Sequence, residues 1–208
     1  MVLLETIRKK LADRPVRLIE PGNRAHAAVA MILKQGAGGL EILLIERATN
    51  EKDHWSGHIG FPGGRVDLAD YSPRRTAERE TMEELGVDLA SARLLGRLGD
   101  TIPGGLPMVV SCFVYGLERS PHLIPDGDEV AQAFWLPMHE IKNPARCATV
   151  KPLIRSRTKT FPALSITEWA PQPLWGLSFR LLRKLDKILY PAQPRWKEPG
   201  ICLDAQGE

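Results

Sequence analysis

A single short helix constrains this chain more than any other feature. Ser72 is a good N-cap and Pro73 a good first helical residue, while Gly86 suits the left-handed position that closes a helix. These signals predict a helix over residues 73–85. At roughly 100° per residue, Glu80, Glu83 and Glu84 fall within an arc of roughly 100°. Ala77, Thr81 and Leu85 form the adjoining stripe that can pack inward. The three carboxylates repel one another at spacings of three and four. They also lie in the last turns, where the helix dipole favours cations. Arg79 reaches Glu83 at i+4 and offsets one charge. A hard divalent cation, which takes oxygen ligands, would resolve the conflict.

A solvated acidic face is the ordinary explanation of a Glu-Glu pair. Three carboxylates served by one Arg make it a poor explanation here. The flank weakens it further. Phe61-Pro62-Gly63-Gly64 reads as a glycine-rich turn through which backbone can approach a ligand closely. Paired glycines alone would mark only a turn.

The rest of the chain predicts a mixed α/β order. A short amphipathic helix built on Leu3, Leu4, Ile7 and Leu11 closes before Pro15, and a linker follows over residues 16–23. Strands are expected at 27–33 and 40–47, joined by a glycine-rich turn, and at 58–61, 94–98, 108–116 and 130–136. A short helix starts at Pro137, a hairpin is expected within 151–169, and an apolar-faced helix runs from Pro173 to about Leu189. The organisation read from this is an N-terminal helix and linker (1–24), one main domain (25–190) and a C-terminal tail (191–208). With 208 residues, 43% hydrophobic and 25% charged, the chain can bury a core of ordinary size. A formal charge of +3 argues against a nucleic-acid partner and does not oppose an anionic substrate. Cys112, Cys147 and Cys202 are unclustered, which points to a reducing compartment. The absence of a long apolar run and of an apolar signal core predicts no membrane association and a cytoplasmic location.

The segment from Gly64 to Val87 resembles the Nudix box, Gly-x5-Glu-x7-Arg-Glu-U-x-Glu-Glu-x-Gly-U with U apolar. Arg79-Glu80, Glu83-Glu84, Gly86 and Val87 match it position by position. Thr81 replaces an aliphatic residue, the upstream acid is Asp70 in place of Glu, and eight residues separate Asp70 from Arg79. A second resemblance is to the Nudix coenzyme A diphosphatases. Leu43-Leu44-Ile45-Glu46-Arg47 leads through Gly57 to Phe61-Pro62-Gly63-Gly64 with the spacing of their signature, and Asp67 and Asp70 follow as in that subgroup. Leu174-Trp175-Gly176 with Arg180 is similar to the subgroup's C-terminal helix start. Ile45, Ala48-Thr49 and Asp53 depart from the signature, and Asp53 stands where an Arg could pair with phosphate.

The resemblance implies an α/β (α+β) fold, a Nudix-type α/β/α sandwich with a mixed central sheet. It implies a hydrolase that uses Mg2+ or Mn2+ on a small nucleotide-diphosphate substrate. Glu80, Glu83, Glu84, the Gly64 carbonyl and Glu129 are then the expected metal ligands. Arg79 orients Glu83, and either Glu83 or Glu129 is the general base. Glu129 is singled out because it precedes the strand ending in Phe134-Trp135; Asp126 and Asp128 are weaker choices. Arg47, His58, Phe61 and Gly63 are the residues expected at the substrate, with Lys52 and His54 as further donors. Coenzyme A or acyl-CoA is the first substrate expectation. ADP-ribose, a dinucleotide or a nucleoside triphosphate is the alternative, and a nucleotide-binding regulator without turnover is the alternative of another class. Isomerisation of an isoprenoid diphosphate lacks a suitably placed Cys and Glu pair. Family analogy allows a homodimer.

Overall fold

The computed structural model describes residues 2–49, 55–104, 106–154 and 157–191. In chain order the elements are α1 (Val2–Ala12), β1 (Ala25–Gly36), β2 (Gly39–Arg47), β3 (Ile59–Gly60), β4 (Gly63–Arg65), α2 (Pro73–Leu85), β5 (Arg93–Arg97), β6 (Met108–Leu117), β7 (Val130–Pro137), β8 (Cys147–Val150), β9 (Leu153–Ile154), β10 (Arg157–Thr158), β11 (Phe161–Leu164), β12 (Leu174–Trp175) and α3 (Gly176–Leu189). Two short 3-10 turns, Met138–Lys142 and Pro144–Arg146, link β7 to β8.

The main sheet runs β3-β2-β1-β6-β5, with β4 also on β1 and β7 also on β2. It is mixed: β1 and β6 are parallel from Ala25↔Met108 to Lys34↔Leu117, and the other pairs are antiparallel. β1 and β6 are buried on both faces, as strands in the middle of a covered sheet must be. Alternation along β1 separates two cores. Ala28, Ala30 and Ile32 pack with Ala77 and Leu85 of α2. Met31 and Leu33 face the other way, toward Leu4, Ile7 and Leu11 of α1 and Phe179, Leu182 and Leu185 of α3. The result is the expected α/β/α sandwich. α1 is therefore part of the main core, since three of its side chains are buried there.

Helix α2 has the predicted bounds, and both predicted caps form. The Ser72 side chain accepts from the Arg75 N–H, and Gly86 has φ +67°. Within 151–169, where a hairpin is expected, β9 and β10 pair antiparallel, and β11 joins β8 and β12 in a separate small sheet. One expectation needs correction. Gly63-Gly64 does not form a turn; with Arg65 it forms β4, an antiparallel partner of Ala27–Val29. The glycines are required by crowding. A Cβ on Gly63 would lie 2.2 Å from the Ala28 carbonyl oxygen, and one on Gly64 would lie 2.4 Å from the Glu80 carboxylate. Gly63 also holds φ at +143°, a region that side chains disfavour.

Candidate metal centre

β4 lies against α2, and this contact organises the site. The Gly63 N–H donates to Glu84 Oε2 at 2.9 Å. Glu80 faces Gly64, whose missing side chain leaves it room. From the other side comes Glu129, at the entrance to β7. Its position is set by Ala48, whose N–H donates to the Glu129 carbonyl at 2.8 Å, next to the pairing of Arg47 with Val130. Asp126 holds the turn, accepting the Glu129 and Val130 N–H groups on Oδ1. Carboxylate oxygens of Glu80, Glu84 and Glu129 then lie within 4.8 Å of one another.

The electrostatics of this group favour a bound positive charge. Glu84 is 1% exposed, and its Oε1 has no hydrogen-bond partner. Burial pushes its pKa up to about 8, the Gly63 N–H opposes the shift, and Glu80 adds to it. Burial also raises the Glu80 carboxyl, against the pull of Arg79. An orphaned buried carboxylate oxygen is costly. Three hard oxygen donors converging on one point fit a divalent cation.

Glu83 lies outside this group of three. Its side chain is 57% exposed, and Oε2 accepts from Arg79 Nη1 at 2.7 Å. Arg79 is thus where its predicted partnership with Glu83 puts it, but it does more. It also donates to Glu80 Oε1 at 2.9 Å and, through Nε and Nη2, to both oxygens of Asp70. Asp70 is 4% exposed at its side chain, also accepts from Thr76 Oγ1, and is held below the usual carboxylate range by the Arg79 guanidinium. So the shorter acid, set one residue further from Arg79, still reaches it. Thr81, at the aliphatic position, is fully buried and donates to the Ala77 carbonyl at 2.6 Å. Its hydroxyl is thereby satisfied inside the helix.

Residues 24–156 match the model of the NUDIX domain. The chain belongs to the Nudix family. It is a Nudix hydrolase, and Nudix hydrolases generally use divalent metals, in keeping with the carboxylates above. Among its relatives is a protein of Schizosaccharomyces pombe, 38% identical over 130 residues, or 58% of this chain and 39% of that one. This Nudix chain therefore spans well under half of the yeast protein. Nudix hydrolase 3 of Caenorhabditis elegans is 28% identical over 196 residues, 86% of this chain and 80% of that one. A MutT/nudix family protein from Enterococcus faecalis shares the fold, with a TM-score of 0.52 and 18% identity over 84% of this chain and 64% of that one.

Along β3 and β12 the structure gathers an aromatic wall. β2 pairs β3, and β3 meets β12. His58 lies between Trp55 and Trp175, with ring centroids 5.4 and 5.1 Å away, and Phe161 is 5.8 Å from Trp175. Gly60 opens toward Ser178. Arg47 sits at the end of β2 and lends its charge to Glu84. Phe61 is buried in the core shared with α3, so it supports this wall and does not line it. Lys52, Asp53 and His54 lie outside the described residues, as does the tail beyond Pro191. Phe161 lies in the segment expected to hold a hairpin, but no motif singles it out, and its strand pairs outside that segment, with β8 and β12. Nor was the support behind α2 foreseen: Tyr115 Oη donates to Glu78 Oε1 at 3.1 Å, and Arg74 Nε donates to the same oxygen at 2.8 Å.

Proposed function

We propose that this Nudix hydrolase cleaves the diphosphate of coenzyme A or an acyl-CoA, releasing phosphopantetheine and adenosine 3′,5′-bisphosphate. One observation carries the reading. The segments that resemble the coenzyme A diphosphatases are up to 130 residues apart in sequence. β2 ending in Arg47, the stretch from His58 to Gly64, and Trp175-Gly176 nevertheless stand side by side, and the first two reach Glu84 through the Arg47 charge and the Gly63 N–H. The half-buried rings there, with Trp55 exposed beside them, suit stacking on a nucleobase. No helix among the described residues is long and apolar enough to cross a membrane, and the three cysteines are unclustered in the sequence, so the cytoplasm is the proposed setting.

In this reading Glu80, Glu84 and Glu129, with the Gly64 carbonyl, hold Mg2+ or Mn2+. When bound, the ion neutralises charge on the phosphoryl oxygens. Glu129 is the most exposed of the three and stands at the mouth of the site. It takes the proton of the attacking water as the new P–O bond forms and the anhydride P–O bond breaks. Glu83, tied to Arg79, is the competing base. Arg79 serves as a positioning residue that fixes Glu80, Glu83 and Asp70 relative to one another. Arg47 and His58 orient the diphosphate.

A second reading rests on Asp53. A carboxylate in place of the signature's Arg disfavours a further phosphate, and would suit ADP-ribose, a dinucleotide or a nucleoside triphosphate. A panel of coenzyme A, ADP-ribose, NADH, dinucleoside polyphosphates and nucleoside triphosphates, run with Mg2+ and with Mn2+, separates the readings. Adenosine 3′,5′-bisphosphate from coenzyme A supports the first. Cleavage of ADP-ribose with coenzyme A inert supports the second, and no turnover of any member points to a binding-only regulator.

A further inference from the structure

The metal centre is not the only place where charge is left uncompensated. On the opposite face of the sheet, between the segment after α1 and the side of α3, lies a cavity of about 360 Å3. Its wall includes Ile19 and Leu181, the latter part of the core on the α1–α3 side. Three cationic side chains border it: Arg17, Arg180 and Lys184. It shares no residue with the Glu80, Glu84 and Glu129 group.

The one carboxylate in the wall is already spent. Asp100 is buried, and its Oδ1 accepts from Arg97 Nη2 at 2.5 Å and from Ser111 Oγ at 2.8 Å. Its Oδ2 accepts the Ile19 N–H, also at 2.8 Å. Those bonds tie residues 17–19 down beside the cavity, and the Asp100 N–H completes the strap by donating to the Arg17 carbonyl. Gly99 lies beneath, with φ +84°, so close to the strap that a Cβ there would meet Arg17 backbone at 3.1 Å and Lys184 Nζ at 3.6 Å. The Lys184 ammonium thus lies close to Gly99 and the strap.

The cations, by contrast, have no ion-pair partner of their own among the described residues. Among the described residues Arg14, Arg17, Arg180 and Lys184 form no ion pair and no side-chain hydrogen bond, and Arg14 Nη1 is a buried donor with no acceptor. Asp13 borders the neighbouring groove that Lys184 and Arg14 also line, without pairing to either. Burial lowers the Lys184 pKa, Arg14 and Arg17 lower it further, and Cys112 and Asp100 oppose the shift. Gathering like charges around a partly buried ammonium is unfavourable unless an anion joins them.

We infer that this cavity is a second ligand site, which takes the phosphoryl group of a small phosphate monoester on the sheet face away from the metal centre. Arg17 and Arg180 would supply forked donors and Lys184 a point charge, the usual division of labour around phosphate. Ile19 and Leu181 would cover the apolar part of such a ligand. A recessed volume of this size suits a small molecule better than a flat membrane surface.

The test is a calorimetric titration of the full chain with inorganic phosphate in excess EDTA. Without a divalent ion the three glutamates repel anions, so binding reports on the basic cavity and is independent of the diphosphatase reading. Saturable binding at one site is expected. Arg17→Gln and Lys184→Met should each weaken it by roughly tenfold, the loss of one charge-assisted contact. Glu84→Gln should leave it unchanged. Arg17 is exposed, so its variant keeps the experiment decisive should Lys184→Met fold poorly. Absence of saturable binding would overturn the inference. So would binding reproduced by sodium chloride at equal ionic strength, binding indifferent to both substitutions, or sedimentation with phosphatidylglycerol vesicles without any response to phosphate.

Discussion

Replacing Glu84 by Gln tests the physics of the site without substrate. In the folded protein burial moves the Glu84 pKa from 4.5 to about 8. The sign follows from proton binding. Between pH 4.5 and 8 the unfolded chain has lost this proton while the folded chain keeps it. Raising the pH through that window therefore destabilises the metal-free fold. At about 1.4 kcal/mol per pKa unit, the full penalty above pH 8 is on the order of 3–5 kcal/mol, a large part of the stability of a typical domain. Urea unfolding in EDTA at intervals from pH 5 to 8.5 would measure it. The wild-type midpoint should fall across this range relative to that of Glu84→Gln. His26, whose pKa is lowered by burial, gives an opposite slope below pH 6.5, but it does so in both proteins and cancels in the difference. Adding Mg2+ at pH 8 should restore the wild type and leave the variant unmoved. Parallel pH profiles for the two proteins would refute the claim that Glu84 carries an uncompensated buried charge.

Two further outcomes follow from the packing. Gly64→Ala places a methyl group 2.4 Å from the Glu80 carboxylate, so it should displace that ligand and depress turnover at least tenfold. The fold should survive with a loss of about 1–3 kcal/mol, the usual cost of overpacking, and circular dichroism with a diphosphatase assay checks both. Asp70→Asn removes the carboxylate that binds Arg79 twice. With Arg79 29% exposed, the cost should be about 2 kcal/mol at pH 7, between the surface and buried limits for an ion pair. Because the Asp70 pKa is depressed, this contribution should be present in the wild type above its ordinary value near 3.8 and vanish as pH falls through the lower folded value, which acid unfolding curves of the two proteins would reveal.

Much of this was legible in the sequence because the signals were local. Ser72, Pro73 and Gly86 delimit α2 through hydrogen bonds and backbone angles that each residue carries with it. The apolar runs that became β1, β2, β6 and β7 needed only their own composition. Other features depended on the partner. The angular spacing of Glu80, Glu83 and Glu84 places all three on one arc, yet β4 packs beside Glu80 and Glu84 and leaves Glu83 in solvent. Gly63-Gly64 reads as a turn until β1 is beside it, when the same missing side chains admit a strand. Asp70 looked misplaced by one residue, and only the path of the chain before α2 shows it gripping Arg79. The basic cavity was invisible for the same reason. Arg17 and Lys184 are ordinary surface residues until Asp100 straps one segment over the other's helix.

The account rests on Glu80, Glu84 and Glu129 forming one cation cradle, with Glu83 at its rim. A Mn2+ titration followed by electron paramagnetic resonance, on the wild type and on each Glu→Gln variant, addresses that directly. Removing a buried ligand should cost more than an exposed hydrogen bond, so affinity should fall at least tenfold in Glu80→Gln and Glu84→Gln, somewhat less in Glu129→Gln, and least in Glu83→Gln. Wild-type affinity in Glu84→Gln, or a loss confined to Glu83→Gln, would contradict it.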